Sequence, residues 1–243
     1  MATPRLAGAA LVLLGLVACS SPSVSGPPPT GPGAVASATA GGPPSQTAPP
    51  SEPPAIQPAI TAHPDTFTFA SDGRPQASRL SIPALGLNGL RVRPYRGSPD
   101  DARGTAIQDG GIAASPYGRK GGVGPGGIGN HLVTAHRTSS TRAFARLPRL
   151  WNGAKVHLVA DGKRYTYRIV ATRKTSFRSE RSLAMQSAAV PGRPGVQPTR
   201  AMITLSTCRT PEDRAEGNFW SDRFNNPEHR IDKIGVLIAI RSV

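Results

Sequence analysis

Cys208 closes the run Ala201–Cys208, "AMITLSTC", and the chain holds one other thiol, Cys19. A thiol attacks as thiolate, and an ordinary pKa of about 8.5 leaves only a few per cent ionised at neutral pH. A nearby imidazole would take its proton. A guanidinium would oppose the charge that develops on an attacked carbonyl oxygen. The sequence offers five histidines. His63 lies at the edge of a Pro-rich segment, and His157 sits inside a strand pattern. His136 ends the short apolar run "GNHLVTAH", the same strand-end placement as Cys208. It is the expected partner, with His131 and His229 as the alternatives. A Cys and a His must meet in space rather than in sequence, so the elements that carry them decide the matter.

Those elements read mostly as strands. "SRLSIPALGL" alternates apolar and polar residues through Leu80 and Ile82. "AKVHLVADGKRYTYRIVATRK" is two alternating runs about Asp161-Gly162, a hairpin signal. "AMITLSTC" and "IGVLIAI" add two more apolar runs. On the strand at Cys208, Met202, Thr204, Ser206 and Cys208 share one face, and Ile203, Leu205 and Thr207 the other. Helical pattern is confined to a turn in 143–150 and another in 183–187. Many short strands with Gly/Pro-rich turns predict an antiparallel barrel or sandwich. Two long connections, 97–129 and 175–199, are of a length that often shapes a binding site.

The N-terminal part of the chain is of another kind. Gly 27 and Pro 26 together exceed a fifth of the 243 residues, too much for one packed core. Arg5 and the apolar residues 6–17 have the layout of a signal peptide, too short for a comfortable permanent span. The adjoining "LVAC" resembles a bacterial lipobox, which makes Cys19 the expected lipidation site. Residues 20–51 carry no charge and, Val24, Val35 and Gln46 apart, are Ser, Pro, Gly, Thr and Ala. Residues 20–65 therefore read as a disordered stalk, able to hold a domain on the order of 100 Å from a membrane. With Cys19 lipidated, Cys208 has no thiol to pair with. It is then either buried and inert or kept for its reactivity. The net charge is +15, and all but Arg5 and Glu52 of the charged residues lie beyond residue 60. That suits anionic wall polymers or lipid head groups. The export signal argues against nucleic acid as a partner.

Three stretches in order carry a resemblance. "TLSTC", with an Arg further on before the last strand, resembles the sortase signature T-L-x-T-C. "GNHLVTAHR" is similar to the sortase segment that carries the catalytic His, and "RLSIPALGL" to its opening strand. The resemblance spans roughly residues 78–240 and implies a sortase-family cysteine transpeptidase of the class E/F kind. It implies a mainly β fold, a closed barrel of about eight strands with short helices, over 66–243. It implies Cys208 as nucleophile, His136 as general acid/base and Arg230 as oxyanion or substrate clamp, with Arg223 and Arg209 as alternatives. Thr207 and Ala135 become substrate-contacting positions. Ala135 stands where many sortases have Gly, and a lipobox replaces the usual transmembrane helix. The implied chemistry is cleavage of a C-terminal sorting signal through a thioester, resolved by an amine of a wall precursor or pilin subunit. No metal and no cofactor are expected. The protein is expected on the outer face of the cytoplasmic membrane, lipid-anchored.

Two other readings compete. An L,D-transpeptidase would carry a His close before the cysteine, and no such cluster precedes Cys208. A non-catalytic envelope lipoprotein would use its basic surface to bind anionic wall polymer and keep its thiol buried.

Overall fold

The computed structural model describes residues 71–243. The signal segment, Cys19, the stalk and His63 lie outside the described residues. The described strands are β1 (Ser78–Ile82), β2 (Leu87–Arg96), β3 (Ala113–Tyr117), β4 (Gly129–Thr134), β5 (Lys155–Ala160), β6 (Lys163–Ser176), β7 (Ala201–Cys208) and β8 (His229–Ser242). They close into a barrel in the order β1-β2-β3-β4-β7-β8-β6-β5. Three short helices decorate it: α1 (Ala102–Asp109), α2 (Glu180–Ser187) and α3 (Thr210–Ala215).

The alternation seen in the sequence sets which face turns inward. Leu80 and Ile82 from β1, Val133 from β4, Val156 and Leu158 from β5, Tyr165 and Tyr167 from β6, and Ile203 and Leu205 from β7 fill one core. Removing such side chains from water is the main source of stability here. The hairpin about Asp161-Gly162 forms as its sequence predicts: β5 and β6 pair antiparallel and both turn residues take positive φ.

Two expectations need correction. The barrel is not purely antiparallel, because β2 pairs with β3, and β4 with β7, in parallel. Parallel neighbours require a crossover. The chain supplies α1 for the first pair, and the β5–β6 hairpin with α2 for the second. The long connections are also built, since 97–129 contains α1 and β3, and 175–199 contains α2. Strand β3, "AASPY", hides in the sequence because it offers small residues and a proline in place of β-branched ones.

Helix α1 is fixed at its start and along its inner side. Asp101 caps its N-terminus by accepting from the Gly104 amide at 2.9 Å. Ile107 packs with Tyr95 and Ala114. Gly104 lets the helix lie close, for a Cβ at that position would collide with the Tyr95 hydroxyl. The helix ends at Asp109, beside His136.

Candidate active site

Strands β4 and β7 run side by side in the same direction, with Thr134 opposite Ser206. Two residues further along each chain stand His136 and Cys208. Strand β8 runs antiparallel on the other side of β7, and there Cys208 faces Arg230. A β-ladder thus brings an imidazole, a thiol and a guanidinium, far apart in sequence, to one row at one end of three neighbouring strands.

Short bonds hold the ends of β4 and β7 together. The Ala135 amide donates to the Ser206 carbonyl at 3.3 Å. The Thr207 hydroxyl donates to the Ala135 carbonyl at 2.8 Å. The Arg137 guanidinium donates to the Cys208 carbonyl at 3.3 Å and forms a two-pronged pair with Glu212 of α3. Thr207 and Ala135, expected to touch substrate, are buried beneath the hollow and do not line it. Their hydrogen bonds run between β7 and the end of β4.

His136 and Cys208 line one hollow of about 490 Å³. Its far wall comes from the segment between α3 and β8, including Asn218, Phe219, Trp220 and Phe224. Phe219 is largely exposed. His136 Nε2 lies 2.8 Å from Asp109 Oδ1. An ionised carboxylate only accepts, so Nε2 carries the hydrogen in the neutral ring and Nδ1 keeps the basic lone pair. Burial pushes the Cys208 thiol up from its ordinary value. Arg230 and Arg137 pull it down, and Asp100 and Asp222 push it up.

Arg230 is fully buried. Its Nε donates to Asp100 Oδ2 at 2.8 Å and its Nη1 to the Pro227 carbonyl at 2.9 Å. Its guanidinium stacks on the Phe177 ring at 4.0 Å. Its Nη2 has no hydrogen-bond partner. The alternatives stand elsewhere: Arg209 is tied to Asp213 and Glu216, and Arg223 is exposed over Phe224.

The other described histidines have partners of their own. Burial drives His131 down to about 4, and its Nδ1 donates to the Val123 carbonyl at 2.7 Å. His157 bonds Thr166 between β5 and β6. His229 Nδ1 sits 3.0 Å from Asp213 of α3. Two residues at the site carry no signal in the motifs, Asp109 and Asp100, and both lie in the long connection 97–129. Arg137 closes the motif "GNHLVTAHR" but was given no role there.

Behind the row, the outward face of β7 carries a buried polar chain. Gln186 of α2 donates to Ser206 at 3.1 Å and to Asp232 at 2.9 Å, and Thr175 donates to Asp232 at 2.6 Å. Burial raises the Asp232 carboxyl, while those hydrogen bonds pull it back. Asn130 reaches the carbonyls of Gln186 and Ala188. These bonds seat α2 against the strands that carry Cys208 and Arg230.

Comparison with known proteins bears on what this site belongs to. A sequence model of the family described as "Sortase domain" matches residues 80–223. No curated protein matches the chain. Among solved structures, sortase A (SrtA) from Actinomyces oris is similar at 18% identity, covering 75% of this chain and 89% of that one, with a TM-score of 0.52. Sortase E from Streptomyces avermitilis shares 22% identity over 70% of this chain and 92% of its own, at a TM-score of 0.50. Sortase E1 from Streptomyces coelicolor, solved with a tripeptide in its active site, shares 18% over 72% and 94%, at 0.51. These likenesses extend to the barrel. The family match covers more than half of the chain and includes the residues of "GNHLVTAH" and "TLSTC". The chain belongs to the sortase family of cysteine transpeptidases.

Proposed function

We propose that this protein cleaves a sorting-signal peptide at Cys208 and passes the acyl group to an amine of the cell envelope. The observation that carries this reading is the single row of His136, Cys208 and Arg230 at one end of β4, β7 and β8. The Cys208 thiol gives its proton to His136 Nδ1 as sulfur attacks the scissile carbonyl. Charge then develops on the carbonyl oxygen, and the Arg230 guanidinium, with Nη2 uncommitted, is the cation set to oppose it. Collapse of the adduct breaks the C–N bond. His136 protonates the leaving amine, and a thioester remains on Cys208. An incoming amine attacks that thioester and gives a proton to His136, the C–S bond breaks, and His136 returns the proton to sulfur, which restores the thiol. Nothing in this cycle requires a metal ion or an organic cofactor.

Asp109 is the positioning residue for His136, holding Nε2 so that Nδ1 is the working base. Thr207 and Ala135 are positioning residues too, joining the strand of the nucleophile to the strand of the base. Phe219, Trp220 and Phe224 in the hollow wall supply apolar faces for a peptide chain. Cys19 carries a lipid that anchors the chain to the outer face of the cytoplasmic membrane, and residues 20–65 form the tether to a catalytic domain at 66–243. Among the described residues no helix is long and apolar enough to cross a membrane. Cys19→Ala should therefore release the protein from membrane fractions, and continued retention would refute the anchor.

The chemistry is tested by incubating the protein with a library of C-terminal sorting-signal peptides and an amine acceptor. Cys208→Ala and His136→Ala should each lower ligation on the order of 10³-fold while the thermal transition is kept. Ligation that survives Cys208→Ala would overturn the reading.

A further inference from the structure

The outer face of the barrel carries a second ordered feature, away from the thiol. Arg91 of β2 faces Arg79 of β1 across the ladder, and Arg79 faces Val159 of β5. Val159 faces Arg164 of β6, which in turn faces Arg241 of β8. Four arginines thus stand in one hydrogen-bonding row across five neighbouring strands, all exposed. Arg79, Arg91 and Arg164 have no carboxylate partner among the described residues, and neither does Arg93. Like charges directly opposite on a ladder are unfavourable unless an anion lies between them. The row begins in a hollow of about 350 Å³ lined by Arg79, Arg91, Arg93 and Ser78, with Asp161 as the acidic residue at its edge. The Ser78 hydroxyl is buried there without a hydrogen-bond partner.

We propose that this row is a binding track for a linear, phosphodiester-linked anionic polymer. Guanidinium forks match phosphate oxygens two by two. The polymer enters at the Ser78 hollow and lies across the strands. Strand spacing gives the row a length of roughly 19 Å, enough for several phosphates. Its course favours a chain over a bilayer, because the arc from β2 to β8 takes in half of the closed barrel, and a flat surface cannot touch both ends of such an arc. It also favours a non-nucleic polymer. The residues of the row are four arginines and a valine, with no aromatic ring on which bases would stack. The barrel wall thus has a docking role separate from the acyl-transfer chemistry.

The test measures binding of the full chain to a short poly(glycerol phosphate) over a range of salt. Two triple variants remove equal charge: Arg79→Gln/Arg91→Gln/Arg164→Gln in the row, and Arg119→Gln/Arg146→Gln/Arg149→Gln outside it. The row variant should lose affinity by about tenfold or more and show a salt slope shallower by about two, while the outside variant changes little. Peptide ligation should be unchanged in the row variant, which separates this test from that of the catalytic reading. Equal losses in the two variants would reduce the effect to bulk charge and overturn the track, as would failure of the parent protein to bind. A charge-matched single-stranded DNA bound as tightly would overturn the choice of polymer. So would phosphatidylglycerol vesicles that capture the parent protein and not the row variant.

Discussion

At the scale of single residues, the site combines a half-buried thiol with an imidazole whose Nε2 is held by Asp109. Because burial raises the Cys208 thiol above its ordinary value, the thiolate fraction is small at neutral pH and grows as pH rises. Iodoacetamide should therefore label Cys208 more slowly at pH 7 than an unburied thiol, and the rate should climb by about tenfold per pH unit up to the raised value. A labelling rate already flat by pH 7 would contradict this. Asp109 allows function and stability to be separated. It is the last residue of α1, where a negative charge opposes the helix dipole at a cost of about 0.3–1 kcal/mol. Asp109→Asn should leave stability equal or slightly higher. It should also lower kcat by about tenfold with KM little changed, and Asp109→Glu should recover part of the rate. A structural role alone would give no kcat effect.

At the scale of elements, the parallel pairing of β4 with β7 is what makes His136 and Cys208 neighbours. Thr207→Val keeps the shape of the side chain and removes its hydroxyl, so the Ala135 carbonyl loses its donor. We expect a loss of about 1 kcal/mol in urea unfolding together with reduced turnover, since the strand ends that set the Cys–His distance loosen. Unchanged turnover would show that the remaining ties suffice. Strands β1, β5, β6 and β7 were legible in the sequence because their apolar alternation is strong: Leu80 and Ile82, the hairpin at Asp161, and the β-branched run before Cys208. The parallel pairings were not, since register and direction come from partners far along the chain. α3 and β3 also leave little trace in the sequence. The first is six residues long, and the second is built from Ala, Ser, Pro and Tyr.

At the scale of the whole molecule, the row of His136, Cys208 and Arg230 depends on ties between distant parts of the chain. Asp100, in left-handed backbone with φ 57°, accepts from Gln108 Nε2 at 2.7 Å and from Arg230 Nε at 2.8 Å. One carboxylate therefore joins the segment before α1 to the start of β8, across 130 positions of sequence. Asp100→Ala would leave a buried guanidinium without its counter-charge, at a cost of about 3–5 kcal/mol in unfolding. A loss under about 1 kcal/mol would mean that the Phe177 ring and the Pro227 carbonyl hold Arg230 unaided. Residues at this scale are the hardest to read from sequence. Cys208, His136 and Arg230 stood out through motif and position, whereas Asp100 and Asp109 gained meaning only once α1 was packed against the barrel. The central claim, acyl transfer through Cys208, is tested most directly by intact-mass spectrometry of the protein mixed with a sorting-signal peptide in the absence of an amine. The expected result is a mass increase equal to the peptide's acyl part, located on Cys208 and discharged by hydroxylamine. Peptide cleavage with no adduct on Cys208, or an adduct that persists in Cys208→Ala, would contradict it.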